Sequence, residues 1–305
     1  MRTKQQILNS AKEFMTEREL DILDSSIMEV DTNIKFESVI LSDGNKAKFK
    51  RFINEQSYRD KLRALNLRPV NRILMYGASG TGKTYSTKAL ANLLDKTLLY
   101  IDIAQALESN DVAKNISVVF KYANYTKDCI IMLDEADALA WNRESLAGGE
   151  EQTKARRGTN SVFQQLDQMH PDNIFISATN MQTKLDPAFV RRFDIEMIFE
   201  RPKLNIRDCI IKFLNKDAFE LVDDADKDNV LVVEKRLARL QKLSYYGLQV
   251  IVEENMKEAV IDETYKVHTE KIYSDLAVYA GIGSLNSSKT SIESMSGIIE
   301  RMEKK

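Results

Sequence analysis

The spacing of apolar residues changes along the chain and divides it into segments. Residues 1–33 place apolar side chains at helical intervals, among them Ile7, Ala11 and Leu23, and this predicts one or two short amphipathic helices. Residues 34–41 are strand-like, and residues 45–65 have the pattern of a helix. We expect the first helices to pack on the chain's own core, and a partner-docking arm is the alternative.

Short apolar runs alternate with helical stretches between residues 71 and 199. This alternation predicts βαβ units around a mostly parallel sheet. The predicted strands are residues 72–76, 97–103, 129–134, 173–178 and 195–199. The predicted fold is therefore an α/β domain in which helices cover both faces of a parallel sheet.

Helical periodicity dominates the chain after residue 201, apart from a short strand-like run at 230–233. We therefore predict a large α/β domain over residues 34–201, followed by a small α-helical lid domain over residues 202–280. Residues 281–289 are rich in Gly, Ser and Asn, which is typical of a linker. Together with a last amphipathic helix they make up the segment 281–305.

Composition narrows the class of protein. The 305 residues carry 44 Lys and Arg against 46 Asp and Glu, so the net charge of −2 provides no overall field that attracts nucleic acid. Cys129 and Cys209 are the two cysteines, and we expect buried free thiols rather than a disulfide or a metal site. His170 and His268 lack the spacing of metal ligands. No apolar run has the length of a membrane span, so we expect a cytoplasmic protein without membrane contact.

A phosphate-binding loop is the strongest chemical signal in the chain. An apolar run over residues 73–76 ends in glycines, a lysine and a hydroxyl at the spacing of a P-loop. Glycines let the backbone approach a polyphosphate, and the N-terminus of the following helix favours its negative charge. We predict that Lys83 reaches the β- and γ-phosphates and that Thr84 binds Mg²⁺. The predicted ATP-binding residues here are Gly77, Ala78, Ser79, Gly80, Thr81, Gly82, Lys83, Thr84 and Tyr85.

The second chemical signal is a pair of acids that follows the apolar run 129–133. An all-apolar strand belongs in the middle of a covered parallel sheet, so the acids after it emerge at the ligand crevice beside the P-loop. We predict that Asp134 holds Mg²⁺, directly or through water, as part of the nucleotide site. Glu135 is predicted to orient and deprotonate the attacking water. ATP hydrolysis, and not binding alone, is the expected activity.

Two further segments complete an ordered set of motifs. Residues 178–180 read Ala-Thr-Asn, and residues 191–194 read Arg-Arg-Phe-Asp. Together with the P-loop and the acids, this set resembles the AAA+ ATPases, in the branch that includes katanin and spastin, over residues 34–262. The resemblance implies a Mg²⁺-dependent ATP hydrolase that works as a homo-oligomeric ring, usually a hexamer.

The resemblance also implies roles for single residues. Asn180 corresponds to the sensor that helps to place the attacking water. Arg191 and Arg192 correspond to paired arginine fingers, which act on the nucleotide of a neighbouring subunit by stabilising the charge of the transition state. Gly247 lies in a stretch of the lid that contributes to nucleotide contacts.

One departure from that family bears on the mechanism. Its unfoldases carry an aromatic residue and a glycine on a loop that faces the central pore, whereas residues 107–112 contain neither. Aromatic side chains grip an extended peptide by packing, so this loop gives no support for threading of a polypeptide. The resemblance also implies a second pore-facing loop with Gly148 and Gly149, and a plain surface loop is the alternative.

Three functions are compatible with these motifs. The first is ATP hydrolysis by an oligomeric ring that remodels a dedicated protein partner. The second is an ATPase that acts on nucleic acid or a nucleoprotein, as a helicase loader does; the near-neutral charge disfavours it, and the basic run 46–51 favours it. The third is a nucleotide-gated assembly scaffold, which the presence of Lys83, Glu135 and Arg191 disfavours.

Overall fold

The chain forms two compact units, one up to Glu200 and one from Arg201 onward. The computed structural model describes residues 2–30, 34–108, 111–138, 150–181, 185–202, 206–240 and 243–281. A bilayer-spanning helix needs about 20 apolar residues, and the described residues contain no helix of that kind.

A five-stranded parallel sheet forms the centre of the first unit, in the order β2-β3-β4-β1-β5. Its strands are β1 (Arg72–Tyr76), β2 (Thr97–Asp102), β3 (Cys129–Asp134), β4 (Ile174–Thr179) and β5 (Ile195–Ile198). Successive residues of β1 enter two separate hydrophobic cores, because Leu74 joins one while Ile73 and Met75 join the other. The predicted parallel sheet with both faces covered is confirmed.

Helices cover both faces of this sheet. They are α1 (Lys4–Ala11), α2 (Glu17–Ser26), α3 (Asp43–Ser57), α4 (Arg59–Ala64), α5 (Lys83–Leu93), α6 (Ile103–Glu108), α7 (Val112–Thr126), α8 (Glu150–Gln168) and α9 (Pro187–Val190). The core on one face includes side chains of α1, α2, α7 and α8, and the core on the other face includes side chains of α3 and α5. The single helix predicted over 45–65 is divided into two helices, α3 and α4, which meet at Tyr58.

The first two helices pack on the chain's own core, as expected. Leu23 is fully buried, and Phe14 stacks on Tyr125 of α7 with 3.7 Å between ring centroids. Beyond α2, the Met28 N–H donates to the Tyr100 carbonyl at 3.0 Å, which forms an isolated antiparallel bridge at the edge strand β2. The N-terminal segment thus packs against α7 and pairs with one edge of the sheet.

The strand-like segment 34–41 does not form a strand. Instead it contains one 3-10 turn, Phe36–Ser38, and Phe36 packs edge-on against Phe49 of α3 at 5.4 Å. Its apolar residues enter the core beside α3 and α5. The prediction was wrong because side-chain packing alone buries this alternating pattern, without any backbone pairing to a sheet edge.

The second unit is mostly helical, as predicted. Its helices are α10 (Ile206–Phe213), α11 (Lys227–Leu240), α12 (Tyr245–Ile261) and α13 (Thr269–Tyr279). The run 230–233, strand-like in sequence, is part of helix α11, in which Val233 is buried while Leu231 is exposed. The pattern did not predict a short parallel pair of strands, β6 (Glu220–Val222) and β7 (Lys266–His268). This pair joins the connection between α10 and α11 to the connection between α12 and α13. The predicted linker and last helix, beyond residue 281, lie outside the described residues.

A buried carboxylate organises the second unit. The Glu234 Oε1 atom accepts from the Ile206 N–H at 3.1 Å and from the Tyr273 phenol at 2.9 Å. These bonds join three helices and satisfy the buried N–H group at the start of α10. The two cysteines are buried free thiols, as expected, and burial raises the pKa of Cys129 to about 11.

Candidate nucleotide-binding site

The turn after β1 is built so that only glycine fits at its first position. A Cβ atom on Gly77 would lie 2.0 Å from the Phe199 carbonyl oxygen, beyond the end of β5, while the Gly77 N–H donates to the Thr179 carbonyl at 3.2 Å. At Gly82, with φ of +97°, nothing lies within 4 Å of such a Cβ. The loop is therefore closed on its sheet side and open on the other.

Helix α5 begins at Lys83 directly after this turn, and Gly82 provides no side chain to cap it. The first N–H groups of a helix lack partners within the helix, and together with the helix dipole they favour an anion. Gly82 at the cap leaves these groups accessible to a phosphate. The structure therefore brings an uncapped helix N-terminus to the open side of the glycine loop.

Lys83 is the charged centre of the loop. Its side chain is only 7% exposed, and Nζ donates to the carbonyls of Gly77 at 2.6 Å and Ala78 at 3.0 Å and to Asn180 Oδ1 at 2.9 Å. Burial lowers the pKa of Lys83, and the carboxylates of the neighbouring acids oppose that shift. The structure thus brings two predicted site residues, Lys83 and Asn180, into direct contact.

The predicted magnesium ligands also meet. The Thr84 hydroxyl donates to Asp134 Oδ2 at 2.7 Å, and the Tyr100 phenol donates to the same oxygen at 3.0 Å. Asp134 Oδ1 accepts from the Glu135 N–H at 2.9 Å. Burial and the charge of Asp134 raise the pKa of Tyr100, so this phenol remains a donor. A hydroxyl beside a carboxylate is an oxygen donor set of the kind that Mg²⁺ prefers, so these residues fit the ion.

Glu135 stands at the edge of the site in a strained backbone conformation. Its φ is +54°, a value that is unusual for a residue with a side chain and that occurs often at functional sites. Partial burial raises the pKa of Glu135, and the carboxylates of Asp102, Asp134 and Asp137 raise it further, while Lys83 lowers it. A carboxylate with a raised pKa is better matched to accept a proton than an ordinary one.

Asp137 connects the acids to the predicted sensor. Its Oδ1 atom accepts from the Thr179 hydroxyl at 2.8 Å and from the Asn180 N–H at 3.3 Å. These bonds hold the end of β4, and with it Asn180, next to the acids after β3. Sequence reasoning missed this role of Asp137 as well as Tyr100 and Asp102, because each depends on which strands are neighbours in the sheet.

The two predicted arginine fingers have different surroundings. Arg191 is exposed, and its side chain has no ion-pair or hydrogen-bond partner among the described residues. The Arg192 guanidinium lies 3.9 Å from the ring centroid of Phe163, and its Nη1 donates to the Ala188 carbonyl at 2.8 Å. The neighbouring carboxylate of Asp194 forms no ion pair with either arginine. Its Oδ2 atom accepts instead from the backbone N–H groups of residues 71 and 72.

The remaining predicted positions lie in three places. The Tyr85 hydroxyl, on α5, bonds with the Ser38 hydroxyl at 2.9 Å and so links α5 to the 3-10 turn. Gly247 lies in the second unit, where its N–H donates to the Ser244 side chain at the start of α12. The loop with Gly148 and Gly149 lies outside the described residues. Within the described ranges, no three His, Cys, Asp or Glu side chains form a metal site of their own.

Comparison with known proteins gives a family for the segment that carries this site. Residues 73–201 match the sequence profile of the ATPase family associated with various cellular activities, AAA. An AAA family ATPase of Sinorhizobium fredii is 27% identical over 72% of this chain and 66% of its own length. The 26S proteasome regulatory subunit 4 homolog of Saccharomyces cerevisiae is 29% identical over 68% of this chain and 49% of its own length.

Two more relatives match a shorter part of the chain. The 26S proteasome regulatory subunit 7 homolog of the same yeast is 33% identical over 52% of this chain and 35% of its own length. The ATP-dependent zinc metalloprotease FtsH 1 of Thermomicrobium roseum is 29% identical over 59% of this chain and 28% of its own length. The chain thus spans two thirds or less of the length of each of these four relatives.

Proposed function

We propose, from the premise that residues 73–201 form an ATPase domain of the AAA family, that this chain hydrolyses ATP with Mg²⁺ as a homo-oligomeric, hexameric ring. The observation that carries the proposal is that Lys83, Thr84, Asp134 and Asn180 meet beyond the carboxyl ends of the sheet's strands. Each of these residues has the chemistry that one part of ATP hydrolysis needs.

Binding of the substrate depends on the loop and its lysine. The open side of the glycine turn and the uncapped start of α5 offer N–H donors to phosphate oxygens. Lys83, now bonded to two loop carbonyls and Asn180, would exchange these acceptors for phosphate oxygens. Thr84 and Asp134 would hold Mg²⁺, which, when bound, neutralises negative charge on the phosphates.

Hydrolysis itself is assigned to Glu135 and Asn180. Water attacks the γ-phosphorus of ATP, the bond to the β,γ-bridging oxygen breaks, and the products are ADP and phosphate. Glu135 accepts the proton of that water, and its raised pKa suits this task. The Asn180 amide orients the water, and its backbone N–H is held by Asp137.

The environment of Arg191 supports an active site completed by a second subunit. An exposed arginine without a partner in the described part of its own chain is available to a neighbouring copy. A guanidinium that reaches the phosphates of that copy stabilises the transition state, and fingers of this kind contribute about 10³–10⁵ in rate. Cyclic assembly follows when each copy donates the finger to the next one.

A protein is the partner class that we favour for the ring. Three of the relatives are named as regulatory subunits of a proteasome or as an ATP-dependent metalloprotease. The basic run 46–51 was the sequence feature that favoured a nucleic-acid partner, but two of its positive charges form ion pairs within α3. Lys46 pairs with Asp43, and Arg51 pairs with Glu55.

Two measurements test the proposal. The first is the ATP hydrolysis rate of the purified chain with Mg²⁺, where no turnover above background would contradict the assigned activity. The second is the solution mass of Glu135→Gln by light scattering, with ATP and Mg²⁺ and again without nucleotide. We expect a shift from the 34.9 kDa of one chain to about six subunits. A mass that stays at one chain in both conditions would contradict self-assembly into a ring.

A further inference from the structure

The side chain of Tyr100, in β2, contacts Asp134, which belongs to the acidic motif after β3. Tyr100 pairs in register with Met132 of β3. Asp134 lies two residues beyond Met132 and therefore on the same face of the sheet. An aromatic side chain is long enough to reach such a diagonal neighbour, and the phenol of Tyr100 donates to Asp134 Oδ2 at 3.0 Å.

The backbone of Tyr100 is held from both sides. On one side β2 pairs with β3, and on the other side the Tyr100 carbonyl accepts from the Met28 N–H at 3.0 Å. Because β2 is an edge strand, it would otherwise present an unpaired carbonyl there. The ring of Tyr100 also packs against the core beside α5. The phenol is therefore presented to Asp134 from a restrained position.

The Asp134 carboxylate depends on few contacts for its orientation. Oδ2 accepts from the hydroxyls of Thr84 and Tyr100, and Oδ1 accepts from the Glu135 N–H. Thr84 and Glu135 lie in the parts of the site that would bind the metal and the water. Among the described residues, Tyr100 therefore provides the hydrogen bond to Asp134 that comes from outside the P-loop and the acidic motif.

We propose that Tyr100 is a positioning residue of the magnesium site, whose phenol holds the Asp134 carboxylate in the orientation that the ion requires. Groups that hydrogen-bond to a metal-binding carboxylate contribute about 10–100-fold to metal affinity or activity. The inference rests on the proposed function, because it assigns a role toward Mg²⁺.

Binding of a fluorescent, non-hydrolysable β,γ-imido analogue of ATP tests the inference without any turnover. The dissociation constant is measured in EDTA and again in Mg²⁺, and the ratio of the two is the gain that Mg²⁺ provides. For Tyr100→Phe we expect an unchanged dissociation constant in EDTA and a gain reduced about tenfold. A smaller folded fraction raises both apparent dissociation constants by the same factor and leaves their ratio unchanged, so a loss of folded protein would not imitate this result.

Tyr122→Phe is the matched control. Tyr122 is a fully buried tyrosine whose phenol bonds with Ser10 at 2.9 Å and accepts from Arg2 at 3.2 Å, away from the acids. We expect Tyr122→Phe to leave the Mg²⁺ gain unchanged. In an Asp134→Asn background, Tyr100→Phe is expected to cause no further loss, because residues that act through one another are not additive.

The outcomes separate the two proposals. If the unmodified chain binds the analogue with a Mg²⁺ gain and Tyr100→Phe keeps that whole gain, the role of Tyr100 is overturned and the proposed function stands. An equal loss of affinity in EDTA and in Mg²⁺ overturns that role too, because it signals a general distortion of the site. If the unmodified chain binds no analogue, or binds it without a Mg²⁺ gain, both proposals are overturned.

Discussion

Thr84 donates a 2.7 Å hydrogen bond to Asp134, although the two residues are 50 positions apart in the chain. Thr84 is the second residue of α5, and Asp134 is the last residue of β3. One strand, β4, separates β3 from β1, whose following turn leads into α5. The bond therefore depends on the order of strands in the sheet, and it brings the two predicted magnesium ligands together.

Replacement of Lys83 by Ala is expected to abolish nucleotide binding. Loss of one partner from a buried charge pair costs about 2–5 kcal/mol, so we expect the affinity for ATP to fall by a factor of about thirty to a few thousand. Lys88, on the same helix, is the matched control, and Lys88→Ala should bind normally. Isothermal titration with ATP and Mg²⁺ measures both, and tight binding by Lys83→Ala would contradict the assignment of the P-loop.

Gly77→Ala is expected to destabilise the fold as well as the site. The added Cβ would meet the Phe199 carbonyl at 2.0 Å, so strand ends must shift at a cost of about 2 kcal/mol or more. Gly44→Ala is the control, since nothing lies within 4 Å of its Cβ and it lies in α3, where Ala is the better helix former. Urea unfolding compares them, and equal midpoints would contradict the crowding at Gly77.

Replacement of Arg191 and replacement of Arg192 by Ala are expected to have different effects on turnover and stability. Arg191→Ala should bind ATP and keep its stability but lose about 10³-fold or more in turnover, because it removes charge from the transition state. Arg192→Ala should also lose stability, since the contact with Phe163 is worth about 0.5–2 kcal/mol. Thermal unfolding midpoints and steady-state turnover of both variants measure these effects.

Two results would contradict this division between the arginines. Full turnover in Arg191→Ala would remove the finger assignment. An unfolding midpoint of Arg192→Ala equal to that of the unmodified chain would mean that the Phe163 contact contributes nothing. Mixing Arg191→Ala with Lys83→Ala subunits gives a further check, because a trans-acting finger restores turnover at the mixed interfaces.

The N-terminal helices should carry a pH-dependent contribution to stability. The hydrogen bond from Lys121, followed by that from the Thr16 N–H, lowers the pKa of Glu19 from 4.5 to about 2. A lowered pKa in the folded state means that the stabilisation is complete above about pH 4.5 and is lost as the pH falls toward 2. Glu19→Gln removes the charge and retains a side chain that suits the capping box with Thr16.

We therefore expect Glu19→Gln to be less stable than the unmodified chain at pH 6, by a difference that shrinks as the pH falls below about 4.5. Thermal unfolding midpoints at several pH values between 3.5 and 6, about the range in which acids titrate, measure the difference. A difference that is independent of pH would show that the pairing with Lys121 is not its source.

Much of the first unit could be predicted from local patterns. The predicted strand at 97–103 is β2, Thr97–Asp102, and the one at 173–178 is β4, Ile174–Thr179. The two strand-like runs that form no strand are 34–41, whose apolar residues pack without backbone pairing, and 230–233, which is part of a helix. A short apolar run does not distinguish these cases, because burial is what each of them achieves.

The sequence by itself determined the glycine loop, the acids after an apolar strand and the order of the motifs, since these signals act over a few neighbouring residues. Only the tertiary structure decided that the Tyr100 phenol reaches Asp134 and that Phe199 crowds Gly77. It also decided that Arg192 folds onto Phe163. The physical reason is that these contacts join residues far apart in the chain, whose distance depends on strand order and packing rather than on local periodicity.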